Sequence, residues 1–387
     1  MRSLELFSGL GGLAHGLELA GAKHAAFVEF NKDACDSLRA NFDERIVRHI
    51  DVRDFDFTSI SDIDIIAGGP PCQPFSLGGK HNGNSDHRDM FPYAAKAVSL
   101  LYPKAFIFEN VKGLLRDNFS SYFNYIIARL TYPTFEIKNG ETWESHSIRL
   151  KKIRPSQYAE LHYSVKFMLL NAADYGVPQV RERVVIVGIR SDLGSDWEFP
   201  QSTHSQSALE WAMRNDYSYW KRHAISKQLA DRYLKFMERR SRVSEVPYGF
   251  ISPSAKPWVT VRDAIGDLPD PRECHGVIGH KYQPGAKPYA GHTGSDLDWP
   301  SKTIKAGGHG VPGGENMLRQ IDGSHRYFTI LETKRIQTFP DSYIIMGSWG
   351  EAMRQIGNAV PVKLGKIIGD SVIDYIAKSK SRKAASA

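Results

Sequence analysis

The passage from an apolar strand into a stiff turn at residues 63–72 constrains the fold more than any other stretch of this chain. Residues 63–67 read IDIIA, a β-branched run that is typical of a buried parallel strand. Gly68 to Pro71 then force the backbone out of the strand, because the two prolines have no N–H group to donate to a sheet. Cys72 follows directly, so we expect it at the carboxyl end of a strand. Ligands bind at that edge in open α/β sheets.

Cys72 has two interpretations. A lone cysteine is most often a small buried hydrophobe. Here the flanking prolines favour a rigid loop whose side chains face a cleft, where a thiol is placed to react. The other cysteines, Cys35 and Cys274, are far away in the sequence and make the total odd. This usage favours free thiols in a reducing compartment over a disulfide framework.

The first thirty residues predict a strand, a glycine-rich turn and a helix. SLELF at 3–7 reads as the strand, and Gly9, Gly11 and Ala14 then fit a G-x-G-x-x-A pattern. Glu29 comes 20 residues after Gly9, at the end of a second strand, AAFVEF, where its carboxylate suits two ribose hydroxyls. The pattern alone fits a nicotinamide or flavin dinucleotide equally well, or a tight turn without a ligand.

Four more polar side chains follow predicted strands. Asp51 comes after RIVRHI and is a candidate for an adenine amino group or a turn cap. Glu109 ends KAFIFE on the same sheet edge as Cys72, with a salt bridge or a helix cap as the alternative. Arg181 and Arg183 share one face of an extended chain, which suits a carbonyl or phosphate oxygen; surface charge is the alternative.

Composition narrows the class of protein. The chain has 387 residues, 41% of them apolar and 24% charged, as in a soluble globular protein with one large domain or two unequal ones. No apolar stretch approaches the roughly 20 residues of a membrane helix, and the first strand begins at once, which predicts an intracellular, cytoplasmic protein. Cys274, His275, His280 and His292 match no zinc spacing, so no metal site is expected.

Positive charge is concentrated in parts of the sequence. The net charge is +7, and residues 214–242 hold nine Lys or Arg against three Asp or Glu. We expect this run to contact phosphates, while the basic residues at 149–154 and at the carboxyl terminus have a solvated surface as the simpler explanation.

The organisation of the chain changes after the last predicted strand. Alternating strands and helices run to residue 190, interrupted by a polar loop at 76–89 and an insertion at 131–162 that we expect to be irregular. From 191 the sequence is rich in Trp, Tyr, Pro and Gly, with one amphipathic helix near 225–237. Helical patterns resume near the end. We therefore expect a catalytic and cofactor-binding domain at 1–190, a second region at 191–350 and a helical return at 351–387.

Taken together, these residues resemble the cytosine-5 DNA methyltransferase family over nearly the whole chain. Eight matches occur in the family's order: LELFSGLGGL at 4–13, Glu29, Asp51, GGPPCQPFS at 68–76, ENV at 109–111, QVRER at 179–183, RYFTILETKRIQTFP at 326–340 and QIGNAVP at 355–361. Two departures stand out. Glu5 replaces a more common Asp, and TILE at 329–332 replaces the usual Leu-Thr-x-Arg-Glu.

The resemblance implies a fold and a chemistry. The fold is α/β: a Rossmann-like methyltransferase domain with a mostly parallel sheet, plus a smaller irregular target-recognition domain. Cys72 would attack carbon 6 of a flipped-out cytosine, and Glu109, protonated or sharing a proton with ring nitrogen 3, would neutralise the resulting charge. Arg183 would hold the carbonyl oxygen, with Arg181 beside it among the catalytic residues. The loop at 76–89 would close over the base.

The resemblance also implies the cofactor and the partners. S-adenosyl-L-methionine would lie among eleven residues: Phe7, Ser8, Gly9, Gly11, Gly12, Glu29, Asp51, Val52, Pro71, Asn358 and Val360. The substrate would be double-stranded DNA, read by residues 191–326. With its catalytic block beginning at residue 3 and no regulatory extension before it, the chain looks most like a bacterial modification enzyme, a monomer paired in function with a restriction endonuclease.

Three rival functions remain at this point. A non-catalytic DNA-binding relative would be expected to lack Cys72 or Glu109, and both are present. A dinucleotide-dependent oxidoreductase is supported only by the glycine-rich turn and Glu29, and it leaves PPCQ, ENV and RER unexplained. An RNA methyltransferase is closer, since one branch of the same family acts on tRNA. The long variable region favours DNA.

Overall fold

The computed structural model describes residues 1–71, 89–154, 158, 160–238, 253–274, 276–289, 293–306 and 314–386. Its centre is a seven-stranded sheet with the order β3-β2-β1-β4-β5-β7-β6. The strands are β1 Arg2–Leu6, β2 Lys23–Glu29, β3 Val47–His49, β4 Ile65–Gly68, β5 Ala105–Val111, β6 Tyr163–Asn171 and β7 Glu182–Arg190. β7 runs antiparallel to both of its neighbours, and the other pairs are parallel, which confirms the predicted mostly parallel sheet.

Twelve helices belong to the described part of the chain. They are α1 Gly12–Leu19, α2 Lys32–Asn41, α3 Phe91–Leu101, α4 Ser120–Thr131, α5 Trp143–Leu150, α6 Gln206–Arg214, α7 Ser218–Arg222, α8 Lys227–Glu238, α9 Val261–Ile265, α10 Ile330–Ile336, α11 Trp349–Asn358 and α12 Val362–Ser386. Among the helices searched, none is long and apolar enough to cross a membrane.

The sheet is covered by helices on both faces, which explains why its central strands are continuous apolar runs. Successive residues of β4 alternate between two cores: Ile66 packs with residues of α3 and α4, whereas Ile65 and Ala67 pack with residues of α1 and α12. All three side chains are fully buried. Because the side-chain period of a strand is two, a shift of one residue in the register would exchange the cores.

Helix α12 returns the end of the described chain to the first helix. Its buried Leu364, Ile368 and Val372 pack in the same core as Leu17 of α1. A Cβ atom on Gly16 would lie 2.5 Å from the backbone nitrogen of Lys366, so glycine is needed where the two helix backbones meet. The buried residues of α12 therefore share one apolar core with α1.

The second region has its own small sheets and core. Its strands are β8 His204–Ser205, β9 Lys256–Pro257, β10 Ser295–Asp296, β11 Met317–Arg319 and β12 His325–Tyr327. They form a two-stranded and a three-stranded sheet, and α6, α7 and α8 contribute to a separate apolar cluster around Trp220. The prediction of one helix in this region was incomplete, because α6, α7 and α9 are only five to nine residues long and leave little periodicity.

The prediction of an irregular insertion at 131–162 is wrong over Trp143–Leu150, which form α5. Thr142 caps this helix by accepting a hydrogen bond from the Ser145 backbone, and His146 and Leu150 bury one face. The cap and the i, i+4 pair were local signals of a helix.

Both departures from the family pattern are accommodated locally. Glu5 is buried, and its carboxylate lies 3.1 Å from Nδ1 of His24. In TILE, Thr329 and Glu332 form a capping box at the start of α10. Glu332 also pairs with Arg326 at 2.6 Å. The altered block therefore still begins a well-capped helix.

Candidate active site

The structure describes the residues on both sides of the predicted nucleophile loop. The carbonyl oxygen of Pro71 accepts a hydrogen bond from the Met90 backbone at 3.1 Å. Cys72 and residues up to 88, which include nearly all of the expected lid, lie outside the described residues. Pro71 itself is exposed at the carboxyl end of β4, as the sequence predicts for this turn.

Asn110 ties the start of that loop to β5. Its side-chain amide is buried and donates a hydrogen bond of 2.9 Å to the Pro70 carbonyl oxygen. A Cβ atom on Gly69 would lie 3.3 Å from Oε2 of Glu109, so the Glu109 carboxylate lies against the same turn. The structure therefore places Glu109 beside the segment that leads directly into Cys72, as the sequence predicts.

Glu109 and Arg183 meet on one face of the sheet. Glu109 pairs in register with Val185, and Arg183 lies two residues from Val185, so both side chains point to the same side. Arg183 Nε lies 2.6 Å from Glu109 Oε1, and both side chains are nearly buried. The contact is an ion pair, and Oε1 accepts no hydrogen bond from the described residues. A carboxylate and a guanidinium thus stand together at a shielded site, which suits a planar, polar ring.

Arg181 has a different task from the substrate contact that the sequence predicts. It is fully buried, with Nη1 donating to the Ile304 carbonyl at 3.1 Å and Nη2 to the Gly357 and Ala359 carbonyls at 2.9 Å each. Burial lowers the pKa of Arg181, and the charge of Arg183 lowers it further. The alternation argument fails because Arg181 precedes β7. Its guanidinium instead joins the core to the segments around 304 and 357–359.

The glycine-rich turn has the strained backbone of a ligand cradle. Phe7, Gly9 and Gly11 adopt positive φ angles of 51°, 52° and 82°. Glu29 closes the turn, because Oε2 accepts the Gly9 N–H at 2.7 Å and Oε1 accepts the Asn31 N–H at 2.8 Å. The carboxylate is thereby held at the end of β2, where the sequence places it.

The carboxyl-terminal segment packs directly onto this turn. A Cβ atom on Gly12 would lie 2.1 Å from the Val360 carbonyl oxygen, so only glycine allows the two backbones to meet. Val360 is buried, whereas Asn358 is exposed. The structure thus brings together two stretches that are almost 350 residues apart in the sequence, as predicted.

Asp51 makes the contacts of a turn cap, which was the alternative to a contact with adenine. Its Oδ1 accepts the Arg53 N–H at 2.9 Å, and its carboxylate pairs with the Arg53 guanidinium at 2.6 Å. The hydrogen bond from Arg53 lowers the pKa of Asp51, although partial burial opposes this. Val52 is buried beside it. Asp51 would have to share its oxygens with Arg53 to contact an adenine, and that contact stays a prediction.

The residues around the turn fit S-adenosylmethionine chemically. A Cβ atom on Gly9 would have no neighbour within 4 Å, so space is open above the turn. The Glu29 carboxylate suits a ribose diol, and Gly11 has no side chain to cap α1. The first-turn N–H groups of α1 can therefore serve a carboxylate ligand.

Part of the basic run at 214–242 is engaged within the protein. Arg214 pairs with Glu238, and Arg222 pairs with Asp263 at 2.9 Å while its guanidinium lies over the Tyr219 ring. Arg214 and Arg222 are therefore less available for the phosphate contacts expected of this run. Residues 239–252, with three further arginines, lie outside the described residues.

A cavity of about 450 Å³ lies in the second region, lined by Tyr233, Arg262 and Leu318 among others. No predicted site residue lines it. Arg262 pairs with Asp298 at 2.5 Å, so its charges are satisfied internally. We do not assign this cavity to the chemistry.

Comparison with known proteins decides the family. The family model for C-5 cytosine-specific DNA methylases, which describes the sequences of that family, matches residues 1–139 and 144–374 of this chain. The chain belongs to this family. As a C-5 cytosine-specific DNA methylase, it acts on DNA and uses S-adenosyl-L-methionine, in agreement with the resemblance found in the sequence.

Curated relatives of this DNA methylase cover most of its length. It is 33% identical to the Type II methyltransferase M.Eco47II of Escherichia coli, over 98% of this chain and 80% of the relative. It is 31% identical to the Type II methyltransferase M.Sau96I of Staphylococcus aureus, over 96% of this chain and 75% of the relative.

Two solved structures show the same fold at low sequence identity. The Entamoeba histolytica methyltransferase EhMeth is 14% identical with a TM-score of 0.58, covering 97% of this chain and 98% of that one. The Dnmt2 methyltransferase of S. pombe is 17% identical with a TM-score of 0.55, covering 97% and 98%.

Sequence reasoning missed Asn110 and the positioning task of Arg181. Asn110 was part of the ENV match without a role of its own. A polar side chain that directly follows Glu109 on a buried strand was a signal that it needed a partner.

Proposed function

We propose that this DNA methylase is the modification enzyme of a restriction system. It methylates carbon 5 of one cytosine within a specific double-stranded sequence and so protects host DNA from a cognate endonuclease. The support is that relatives matching nearly the whole chain are Type II methyltransferases. We further propose that it acts in the cytoplasm, as a monomer, without a stable complex with the endonuclease.

The observation that carries the proposed chemistry is the Glu109–Arg183 pair beside the turn that leads into Cys72. Carbon 5 of cytosine becomes nucleophilic only after addition at carbon 6. We assign that addition to the Cys72 thiolate, which forms the S–C6 bond and pushes the ring electrons toward carbon 5, nitrogen 3 and the carbonyl oxygen. Glu109 would share a proton with nitrogen 3, and Arg183 would hold the oxygen.

The second half of the reaction restores the ring. Carbon 5 accepts the methyl group that S-adenosylmethionine supplies when bound. Loss of the proton from carbon 5 to a base re-forms the C5–C6 double bond and expels Cys72. The ring must leave the duplex for this, because stacked neighbours cover both of its faces.

In the cofactor site, Glu29 would bind the ribose hydroxyls. Phe7, Gly9 and Gly11 would shape the cradle, and Asn358 and Val360 would close it from the carboxyl-terminal side. Ser8, Gly12, Asp51, Val52 and Pro71 are the remaining proposed contacts. Residues 191–326 would read the bases in the major groove, with the 191–350 region forming a domain beside the 1–190 core.

Bisulfite sequencing of DNA from a bacterial host that expresses the chain tests the proposal. The expected result is one protected cytosine at a fixed position of a short recurring sequence, absent with Cys72→Ser. The same DNA should resist an endonuclease that cuts this sequence. Protection scattered over unrelated sequences would contradict a restriction-type role.

Transfer RNA, the alternative substrate that the sequence left open, serves as the control for the DNA assay. Purified protein is incubated with labelled cofactor and either duplex DNA or transfer RNA. Label in the RNA and none in the DNA would replace the proposal.

A further inference from the structure

Two basic side chains, those of His204 and Lys363, converge on Gly176, outside the catalytic pair, and Lys256 is the parallel strand partner of His204. Gly176 follows a single helical turn at Ala172–Tyr175 and has a positive φ of 76°. A Cβ atom there would lie 2.5 Å from Cε1 and 2.8 Å from Nε2 of His204, and 2.7 Å from Nζ of Lys363. The missing side chain lets the imidazole and the ammonium group approach one point from different parts of the chain.

The backbone around these groups is firmly held. Lys363 Nζ donates to the Gly176 carbonyl at 2.9 Å, and the Lys363 backbone N–H donates to Thr338 Oγ1 at 2.9 Å. The Thr203 N–H donates to the Asp174 carbonyl at 2.9 Å. The Lys256 N–H donates to the Thr203 carbonyl at the same distance. The basic groups are thus presented by a loop, a small sheet and the start of α12 together.

The positive charges of the two lysines disfavour protonation of His204. His204 is half-buried, and burial together with the charges of Lys363 and Lys256 lowers its pKa to about 4. Burial and Lys256 also lower the pKa of Lys363. Among the described residues, no ion pair joins any of the three to a carboxylate. The carboxylate of Asp174 in the same loop accepts Nε1–H of Trp258 at 2.8 Å instead.

The position of this cluster points to the DNA backbone. Gly176 and Arg183 are seven residues apart and joined by a loop that folds back on itself, since the Ala172 N–H donates to the Arg181 carbonyl. Even a fully extended stretch of seven residues spans roughly 25 Å, less than the ~34 Å of one duplex turn. One short stretch of DNA can therefore place a phosphate at the cluster and a base at Arg183.

We propose that His204 and Lys363, which meet at Gly176, together with Lys256, the strand partner of His204, bind one backbone phosphate of the DNA strand near the flipped cytosine. The inference rests on the DNA substrate of the proposed function. The lysines supply charge and the imidazole an N–H donor, and a bound phosphate relieves their mutual repulsion. The site positions the duplex and reads no base.

The test is a salt titration of binding to a short duplex, followed by fluorescence anisotropy. Lys256→Met and Lys363→Met together should flatten the log–log dependence of affinity on salt by roughly 0.9, the value for one lost phosphate contact. Lys363→Arg, which keeps the charge, should retain most of the slope. Lys366→Met is the matched control, because Lys366 is one turn along α12 and pairs with Asp370. Its slope should equal that of the wild type.

The pH dependence of DNA binding is a second measurement, and it would not change if His204 had only a structural role. A bound phosphate raises the pKa of His204 from its free value of about 4, so binding should take up a proton and strengthen as the pH falls toward 4. His204→Gln should lose that part of the dependence. Lys256, Lys363 and Asp174 remain in this variant, so the difference isolates the imidazole.

The possible results distinguish failure of the phosphate-site proposal from failure of the proposed DNA methyltransferase function. An unchanged salt slope in the double lysine variant, with DNA methylation intact, would overturn the phosphate site and leave the methyltransferase standing. Absence of DNA methylation by the wild type would overturn the proposed function first. Should Lys363→Met fail to fold, as judged by thermal unfolding, Lys256→Met alone should still reduce the slope, and a wild-type slope there would reject the site.

Discussion

Replacing Arg181 by methionine tests whether this arginine positions the active site or touches the substrate. The guanidinium donates to the carbonyl oxygens of Ile304, Gly357 and Ala359. Methionine is unbranched and apolar and has no hydrogen-bond donor. We expect the variant to lose stability and cofactor affinity together, because Gly357 and Ala359 flank the Asn358 that we assign to the cofactor.

The magnitude follows from the carbonyl groups left behind. Ala359 keeps a longer hydrogen bond from Gln337 at 3.4 Å, so two buried carbonyl groups lose the donor that the structure gives them. Each unsatisfied group costs about 1–3 kcal/mol, which makes a loss of roughly 2–6 kcal/mol. If only about 1.4 kcal/mol of this falls on the conformation that binds the cofactor, affinity drops about tenfold.

The assay compares Arg181→Met with Arg183→Met. Thermal unfolding reports stability, isothermal titration calorimetry reports cofactor affinity, and single-turnover methylation reports chemistry. Arg183→Met should keep cofactor affinity within about threefold and lose the rate, since Arg183 contacts Glu109 and its own strand. If Arg181→Met kept its stability and cofactor affinity and lost only the rate, Arg181 would be a substrate contact and the reasoning would be refuted.

Three further predictions concern single residues. Cys72→Ser should abolish methyl transfer and leave cofactor binding nearly intact, because a hydroxyl is a far weaker nucleophile; substantial turnover measured with labelled cofactor would reject the assigned nucleophile. Glu109→Gln should lower the single-turnover rate by orders of magnitude, and a loss under about threefold would make Glu109 structural. Glu29→Gln should weaken cofactor binding about tenfold in calorimetry, through a weaker bond to the ribose and to Gly9, with DNA affinity as the unchanged control.

Sequence patterns predict the core of this fold because each strand has a local signal. The β-branched run before Gly68 and the alternation of strands and helices up to residue 190 specify the sheet. The acids at strand ends then fall at its carboxyl edge, as Glu29 and Glu109 show. Local sequence cannot show which oxygens a buried arginine binds. The spacing of Arg181 and Arg183 therefore suggested that both contact the substrate. The carbonyl groups that Arg181 actually binds belong to residues 123 to 178 positions later in the sequence, so only the folded structure shows these hydrogen bonds.

The second region was harder to predict for a related reason. Helices α6, α7 and α9 are short, and the ion pair between Arg262 and Asp298 is nearly buried. A buried polar residue stands where helix prediction expects an apolar one, so the apolar periodicity is weaker. The basic run at 214–242 was judged by its charge alone, and the pairing of Arg222 with Asp263 appears only in three dimensions.

Trapping the covalent intermediate tests the central claim most directly, namely that Cys72 adds to carbon 6 of a cytosine in duplex DNA. A duplex with 5-fluorocytosine at the target position, once bisulfite sequencing has identified it, is incubated with protein and cofactor. Fluorine at carbon 5 cannot leave as a proton does, so the S–C6 bond should persist. The account predicts a stable 1:1 adduct, dependent on cofactor and mapped by peptide mass spectrometry to Cys72. An adduct at another residue, or unmodified protein under conditions that methylate the ordinary duplex, would contradict it.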